Sequence, residues 1–293
     1  MATWIAVAPC HDAPRPREPG DAAGPLDGPA VVVASSKMTT KVVPGQLVAV
    51  ASADQAAAEA AVRIAKALRN AIKMEGRATL ALSGGTTPRS TYALLAKEPA
   101  LDWTKIDIFW ADERAVPPAS ERSNYRLAKE TLLDAARVPE GNVHRMPADA
   151  EDRGQAARDY EALLRDVVIG GADGVPALDA IVLGIGEDGH TASMFPGEMA
   201  MNETERLVVA VPAKGAREAR LTITSPVIEH ARAVFVLATG ASKSQALDLV
   251  WSVDGSVNDT PSRVIRGVRG AVTWVIDRAA GGITLSSSTK IKL

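Results

Sequence analysis

The fold is decided by the stretch Asp179-Ala180-Ile181-Val182-Leu183 and the loop that follows it, Gly184-Ile185-Gly186-Glu187-Asp188-Gly189-His190, which continues to Pro196-Gly197. The apolar run predicts a short buried strand. Loops at strand ends hold the chemistry of α/β folds. Asp188 and His190 are therefore the first candidates for a catalytic site.

Two other interpretations of this loop remain open. Its glycines, Gly184, Gly186 and Gly189, also match the pattern of dinucleotide-binding folds. That pattern requires a long helix and an acidic residue after the next strand, whereas here a proline interrupts early and no carboxylate follows the next apolar run. Lys214 or Arg217 could still hold a 2′-phosphate, so NADP binding stays an alternative. The second interpretation is that His190 is a packed loop histidine without a catalytic role.

Composition excludes several classes of protein. The chain has 293 residues, of which 46% are hydrophobic, enough for the core of one large α/β domain or two small ones. Thirty-three basic and 35 acidic residues give a net charge of −2, without the positive field of nucleic-acid-binding proteins. A single cysteine, Cys10, excludes a disulfide framework and a cysteine zinc cluster, and indicates a reducing, cytoplasmic setting.

The two ends of the chain show fewer patterns of regular secondary structure than its middle. No apolar run approaches the ~20 residues that cross a bilayer, and the start lacks the pattern of a secretory signal. We predict that residues 1–42 form a flexible extension rich in proline, glycine and alanine, and that residues 43–293 form a single α/β domain. The polar tail 286–293 is predicted to be mobile.

Apolar runs and helical patterns alternate along the domain. Strands are predicted at 46–51, 78–82, 106–110, near Val143, and at 179–183, 207–211, 220–224, 233–237 and 271–276. Helices are predicted from a capping box at Ser52 to about Lys73, after Pro88 with an apolar face that includes Tyr92, Leu94 and Leu95, and at 124–136, 152–168 and 225–230. This alternation predicts a Rossmann-like, doubly wound, mainly parallel sheet with helices on both faces and the site at the carboxyl ends of its strands.

The second predicted strand runs into a phosphate-binding pattern, Ser83-Gly84-Gly85-Thr86-Thr87-Pro88. Glycines bring backbone amides close to an anion, hydroxyl groups add donors, and proline suits the first turn of a helix whose positive dipole end faces the ligand. The Gly-Lys-Ser/Thr of a nucleoside triphosphate loop is missing. The alternative is an ordinary capped turn.

Charged side chains follow other predicted strands. Asp112 could act as a base or orient a water molecule, and Arg114 could bind an anion or stabilise an oxyanion. Lys243 stands at the start of a helix, where a lysine can meet a phosphate, and Arg220 is a plausible second cation. The alternative for these residues is a solvated surface of ion pairs.

Five separated motifs carry a family resemblance. They are Ser83 to Pro88, Asp112-Glu113-Arg114 with Ser123-Asn124-Tyr125, the loop 184–197, Arg220-Leu221-Thr222, and Gly240-Ala241-Ser242-Lys243. Together they resemble the 6-phosphogluconolactonase family from about residue 43 to about residue 280. The resemblance implies hydrolysis of 6-phospho-D-glucono-1,5-lactone to 6-phosphogluconate, the second step of the oxidative pentose phosphate pathway, on an α/β fold without cofactor or metal.

Lactone hydrolysis suggests roles for the candidate residues. His190 is the hypothetical base, Asp188 orients or polarises it or binds substrate hydroxyls, Asp112 holds the sugar hydroxyls or the water, and Arg114 faces the oxyanion. Whether His190 or a carboxylate takes the proton stays open. The 6-phosphate is assigned to Ser83, Gly84, Gly85, Thr86, Thr87, Arg220 and Lys243.

Two further functions stay in competition. Glucosamine-6-phosphate deaminases are similar to this family but carry a catalytic glutamate before the Pro-Gly of the loop, where this chain has Phe195, and a tyrosine where it has Arg114. A non-catalytic sugar-phosphate sensor should lose the catalytic groups, and this chain retains them. The predicted partner is a small phosphosugar lactone, with no nucleic acid or membrane, in a monomer or weak dimer.

Overall fold

The computed structural model describes residues 31–33, 41–171 and 173–282. The strands are β1 Val31–Val33, β2 Lys41–Val43, β3 Gln46–Val50, β4 Ala78–Leu82, β5 Ile106–Trp110, β6 Asp112–Arg114, β7 Ala180–Gly184, β8 Val208–Val211, β9 Arg220–Ile223, β10 Ala233–Ala238 and β11 Ala271–Asp277. The α-helices are α1 Ala53–Glu75, α2 Thr86–Leu95, α3 Asn124–Ala128, α4 Asp134–Ala136, α5 Arg153–Val167, α6 Ser225–His230 and α7 Ser244–Trp251.

The central sheet contains six parallel strands in the order β3-β11-β10-β7-β4-β5. Every residue of β4 and β5 is buried, because helices cover both faces of the sheet. The apolar runs that the sequence offered as strands are thus explained by double-sided burial. The predicted Rossmann-like α/β fold is confirmed.

The strand order reverses next to β4. The chain passes from β4 outward to β5, returns to β7 on the other side of β4, and then continues through β10 and β11 in the opposite direction. Ligands of open α/β sheets bind at such a switch point, outside the carboxyl ends of the strands. A ligand site is therefore expected at the carboxyl ends of β4 and β7.

Two predicted strands and the segment Asp112–Arg114, which was not predicted as a strand, lie outside the central sheet. β6, β9 and β8 form a separate antiparallel sheet, in which Asp112 pairs with Thr222 and Arg114 with Arg220. The expectation of one doubly wound sheet is corrected here. Only a short hairpin joins β8 to β9, and parallel neighbours need a longer crossover, so these two strands can only pair antiparallel.

Several local predictions can be compared with the structure. At the start of α1, the Gln55 amide donates to Ser52 Oγ at 3.3 Å, as the predicted capping box requires. The Gln55 side chain accepts from the Ala51 amide at 2.9 Å, one residue before the N-cap amide that a capping box uses. Leu94 is 37% exposed, so its assignment to the apolar face of α2 was wrong. The strand near Val143 is a single bridge to Ile108.

The predicted helix 124–136 is continuous but not uniform. Its middle, Lys129–Leu133, is π-helical, between the α-helical segments α3 and α4. Helix 152–168 is confirmed as α5, with the Asp152 carboxylate accepting from the Gln155 amide at its start.

The first described residues pair with each other. β1 and β2 form a two-stranded antiparallel sheet, and Lys41 forms an ion pair with Asp248 at 2.5 Å. Most of the predicted extension 1–42, and the tail 286–293, lie outside the described residues, so the domain division at residue 42 stays a prediction. Within the described ranges no helix is both long and apolar enough to cross a membrane.

Candidate active site

A cavity of about 260 Å³ opens at the carboxyl ends of β4, β7 and β10, where the strand order reverses. Ten of the eleven site residues predicted from the sequence line this cavity. The eleventh, Asp188, is hydrogen-bonded to His190, which is one of the ten. The ten are Ser83, Gly84, Gly85, Thr86, Thr87, Asp112, Arg114, His190, Arg220 and Lys243.

The turn from β4 into α2 presents backbone amides to the cavity. Gly85 caps the helix with φ 115° and offers no side chain to the first turn. The amides of the first turn, at Thr86 and Thr87, therefore have no partner within the helix and carry its positive dipole end. Such a helix start is an anion-binding site.

Ser83 fixes this turn rather than offering its hydrogen to a ligand. Its hydroxyl donates to the Val182 carbonyl at 2.7 Å, which ties the end of β4 to β7. Its amide donates to Tyr92 Oη, and Tyr92 Oη donates to its carbonyl, both at 2.9 Å. Burial raises the pKa of Tyr92 far above its usual range, so the phenol stays a donor. The expectation of a free serine donor is corrected in this respect.

Asp112 lies nearly buried at the start of β6 and joins three segments. Asn124 Nδ2 donates to its carbonyl at 2.9 Å and to Oδ1 at 3.2 Å. Ser193 Oγ donates to Oδ2 at 2.5 Å, and Arg220 Nη1 lies 3.4 Å from the same oxygen. Both carboxylate oxygens are thus occupied by donors.

Three cations line the cavity. Arg114 Nη1 donates to the Arg122 carbonyl at 2.9 Å, which orients its guanidinium. Within the described residues, the buried Nε atoms of Arg114 and Arg220 have no partner, and Lys243 Nζ has none either. Burial lowers the pKa of Arg220, but a guanidinium stays charged in proteins. Unpartnered donors of this kind suit an anionic ligand.

Glu113 lies beneath the site and holds the start of α3. Its carboxylate accepts from the amides of Arg114, Asn124 and Tyr125 and from the Ser123 hydroxyl, at 2.7 to 3.0 Å. Burial raises its pKa, although these four donors oppose the rise. Glu113 therefore positions Arg114 and Asn124 instead of facing the ligand.

His190 and Asp188 form a hydrogen-bonded pair on the loop after β7. The distance from His190 Nδ1 to Asp188 Oδ1 is 2.6 Å. This bond lowers the pKa of Asp188 to about 2, so the carboxylate is ionised and can only accept. The proton consequently lies on Nδ1, and Nε2 keeps its lone pair in the neutral imidazole. Nε2 has no partner among the described residues.

The loop geometry differs from a dinucleotide-binding turn. The Gly186 amide donates to the His190 carbonyl at 2.8 Å, and the Gly189 amide returns to the Gly186 carbonyl. A Cβ on Gly186 would lie 2.0 Å from His190 Nδ1, so only glycine leaves room for the imidazole. Tight turns, not a long helix, follow these glycines. In the described ranges no three His, Cys, Asp or Glu side chains cluster as metal ligands would.

Sequence reasoning missed three neutral residues of the site. Asn124 lines the cavity between Gly84 and Asp112, and a Cβ on Gly84 would lie 1.9 Å from its Oδ1. Ser193 holds Asp112, and Thr239 bonds Thr87 through their hydroxyls at 2.6 Å. Asn124 stood inside a quoted motif and could have been nominated. Ser193 and Thr239 carry no charge pattern that distinguishes them.

The arrangement combines a base, an anion-binding helix start and cations in one cavity. A neutral imidazole nitrogen can accept a proton from water, and guanidinium groups can stabilise a developing oxyanion. Backbone amides and an ammonium group can hold a phosphate. The site is therefore suited to hydrolysis of a phosphorylated carbonyl compound.

Comparisons with known proteins agree with this chemistry. A family model described as glucosamine-6-phosphate isomerases/6-phosphogluconolactonase matches residues 51–274. The curated 6-phosphogluconolactonase of Synechocystis sp. is 41% identical over 214 residues, which cover 73% of this chain and 88% of the relative. The structure of 6-phosphogluconolactonase from Trypanosoma brucei superposes with a TM-score of 0.73 at 28% identity, over 81% of this chain and 98% of the other.

One solved structure concerns the competing function. A monomeric glucosamine-6-phosphate deaminase superposes with a TM-score of 0.67 at 22% identity, over 81% of this chain and 99% of the other, which shows a common fold alone. From the family match over most of its length and the 41% identical relative, the chain belongs to the glucosamine-6-phosphate isomerase/6-phosphogluconolactonase family.

Proposed function

We propose that this chain hydrolyses 6-phospho-D-glucono-1,5-lactone to 6-phospho-D-gluconate. The observation that carries the proposal is the His190–Asp188 pair, whose unpartnered Nε2 belongs to a cavity with three cations and a free helix start. The names of the relatives support the same substrate.

The reaction needs a base and an oxyanion donor but no side-chain nucleophile. His190 Nε2 takes a proton from water as the water oxygen attacks the lactone carbonyl carbon. Negative charge then develops on the carbonyl oxygen, where Arg114 stabilises it. As the intermediate collapses, the bond from carbon to the ring oxygen breaks, and the imidazolium returns its proton to that oxygen. The other proton of the attacking water remains on the new carboxylic acid, which then releases it to solvent.

His190 suits the role of base better than Asp112. Asp112 accepts hydrogen bonds on both carboxylate oxygens, from Asn124, Ser193 and Arg220, and each bond occupies a lone pair that a base would need. His190 offers a free nitrogen. We therefore assign no proton transfer to Asp112 and propose that Oδ1, which accepts one bond, from Asn124, holds the attacking water or a sugar hydroxyl.

The 6-phosphate occupies the other part of the cavity. The amides of the α2 start supply directional donors, and Lys243 supplies a charge that no described residue neutralises. Gly240 begins the segment that carries Lys243, and its amide is fixed by the Asp277 carboxylate at 3.0 Å. Phosphate recognition is therefore prepared by two strand ends, those of β4 and β10.

Binding of the product tests this substrate class. We expect 6-phosphogluconate to bind the wild-type chain in isothermal titration calorimetry, and gluconate to bind at least about tenfold more weakly, because a charge-assisted bond contributes about 1.5 kcal/mol or more. Equal binding of the two would remove the phosphate assignment. Glucosamine 6-phosphate is offered in parallel, and release of ammonia from it would favour the deaminase.

A further inference from the structure

Phe195 is the side chain that joins His190 to the rest of its loop. Its ring centroid lies 4.5 Å from that of the imidazole, with 39° between the two planes. The guanidinium carbon of Arg217 lies 3.8 Å from the centre of the same phenyl ring, and that of Arg220 lies 5.5 Å away. Phe195 is buried. One aromatic ring therefore contacts the candidate base and two cations.

The imidazole of His190 needs a contact of this kind. Its bond to Asp188 fixes Nδ1, but a ring held at one atom can still turn about that bond. Packing against the face of Phe195 restricts this rotation, since the two rings are within van der Waals reach. The two contacts together determine where Nε2 points.

Phe195 is itself held from the other side. Arg217 Nη2 donates to both oxygens of Glu198, at 2.8 and 2.7 Å, while its guanidinium covers the phenyl ring. The Glu198 amide donates to the Phe195 carbonyl at 3.1 Å, which closes the turn between them. Both charged side chains are largely buried. The three residues form one closed unit against which the imidazole packs.

We propose that Phe195 is a positioning residue for His190 in lactone hydrolysis and that Arg217 holds Phe195 in place. The proposal rests on the proposed function. Phe195 transfers no proton and acts only through the orientation of the imidazole. A misplacement of about 1 Å in a catalytic group can cost about 100-fold in rate. Since His190 keeps its bond to Asp188, the loss of its contact with Phe195 should lower the rate by less than about 100-fold.

A second phenylalanine–histidine stack supplies the matched control. Phe109 stacks on His144 with centroids 4.6 Å apart and is fully buried, and neither residue lines the cavity. Phe195→Leu and Phe109→Leu each remove a phenyl ring that packs on a histidine. A purely structural role for Phe195 predicts the same kinetic outcome for both variants.

The experiment measures kcat and KM for 6-phosphogluconolactone, together with the thermal midpoint. We expect Phe195→Leu to lower kcat about tenfold while KM stays within about twofold, because the loss affects the transition state and not substrate binding. Phe195→Tyr keeps the ring and should retain kcat within about threefold. Phe109→Leu should lower the thermal midpoint at least as much as Phe195→Leu and keep kcat within about twofold.

A second variant covers the case that Phe195→Leu does not fold. Arg217→Met removes the charge over the ring and should lower kcat about threefold at unchanged KM. Wild-type kcat in both Phe195→Leu and Arg217→Met would overturn the proposal, as would an equal loss of kcat in Phe109→Leu. If the wild-type chain does not hydrolyse the lactone, the proposed function fails, and this proposal fails with it. That result differs from an active wild type whose variants keep its kcat, which would overturn this proposal alone.

Discussion

Two histidine–aspartate pairs of this molecule resemble each other closely and differ in what surrounds them. His190 and Asp188 are 2.6 Å apart, and His144 and Asp107 are 2.9 Å apart. The first pair is partly exposed in the cavity at the carboxyl ends of the strands, with side chains 29% and 51% accessible. The second pair lies at the amino end of β5, with side chains 14% and 7% accessible.

The surroundings of the two pairs differ in their charged groups and in their access to the cavity. Arg77 donates to the second oxygen of Asp107, through Nε at 3.1 Å and Nη2 at 2.7 Å, so that carboxylate serves as a structural acceptor. His144 packs on Phe109 and faces no candidate ligand group. Residue types and distances therefore do not distinguish the two pairs, and we base the proposed catalytic role of His190 on its position in a cavity lined by cations.

The largest effect is expected from removing each histidine in turn. His190→Ala should lower kcat for 6-phosphogluconolactone by about 10²- to 10⁴-fold, because it removes the general base. His144→Ala should leave kcat within about twofold of wild type and lower the urea midpoint, since it removes a packed ring. Steady-state kinetics and urea unfolding of both variants check this. A comparable loss of kcat in both would contradict the distinction between the pairs.

The aspartates should separate in the same way with a smaller effect. Asp188→Asn should lower kcat about 10- to 100-fold, because the imidazole loses the acceptor that fixes Nδ1 as the protonated nitrogen. Asp107→Asn should mainly lower stability, because Arg77 loses its ionic partner. Unchanged kcat in Asp188→Asn would show that Phe195 and the loop backbone suffice to orient His190.

The phosphate end of the cavity should respond through KM. Lys243→Ala should raise KM for the phosphorylated lactone about tenfold, because a charge-assisted contact is lost, and should leave the kinetics of unphosphorylated gluconolactone unchanged. Lys129→Ala is the control, since Lys129 pairs with Asp134 at the surface outside the cavity. An equal effect of Lys243→Ala on both lactones would remove the phosphate assignment.

The smallest effect concerns acid stability. The pKa of Asp188 lies at about 2, below its ordinary 3.8, chiefly because His190 donates to it. This pairing stabilises the fold above pH 3.8, and its contribution is lost as the pH falls towards about 2. Since Asp188 is half exposed, solvent screening keeps the contribution below about 1 kcal/mol. Between pH 4 and 2, urea unfolding should show a slightly steeper loss for wild type than for His190→Ala, and identical slopes would contradict the pairing.

The sequence predicted most of the central sheet because its strands are buried on both faces. Runs such as 78–82 and 179–183 leave few alternatives to a covered parallel strand. The sequence could not show that 220–223 pairs with Asp112–Arg114 in a second sheet, because that pairing joins segments about a hundred residues apart. Strand periodicity specifies an element but not its partner.

The charged and glycine-rich parts of the site were predictable for a related reason. Loops rich in glycine, with Asp188 or Lys243 at a strand end, have few structural explanations. Ser193 and Thr239 are common neutral residues, and only the fold places them against Asp112 and Thr87. The direction of the Ser83 hydroxyl, towards Val182 and away from a ligand, likewise depends on tertiary contacts.

The most direct measurement follows 6-phosphogluconolactone generated in place by glucose-6-phosphate dehydrogenase, with and without the wild-type chain, corrected for spontaneous hydrolysis. If His190 works in a phosphosugar cavity as we propose, the wild-type chain accelerates the decay. His190→Ala then retains at most about 1% of that acceleration, because the general base is lost. A decay that wild type leaves at the spontaneous rate, or that His190→Ala accelerates equally, would contradict the account.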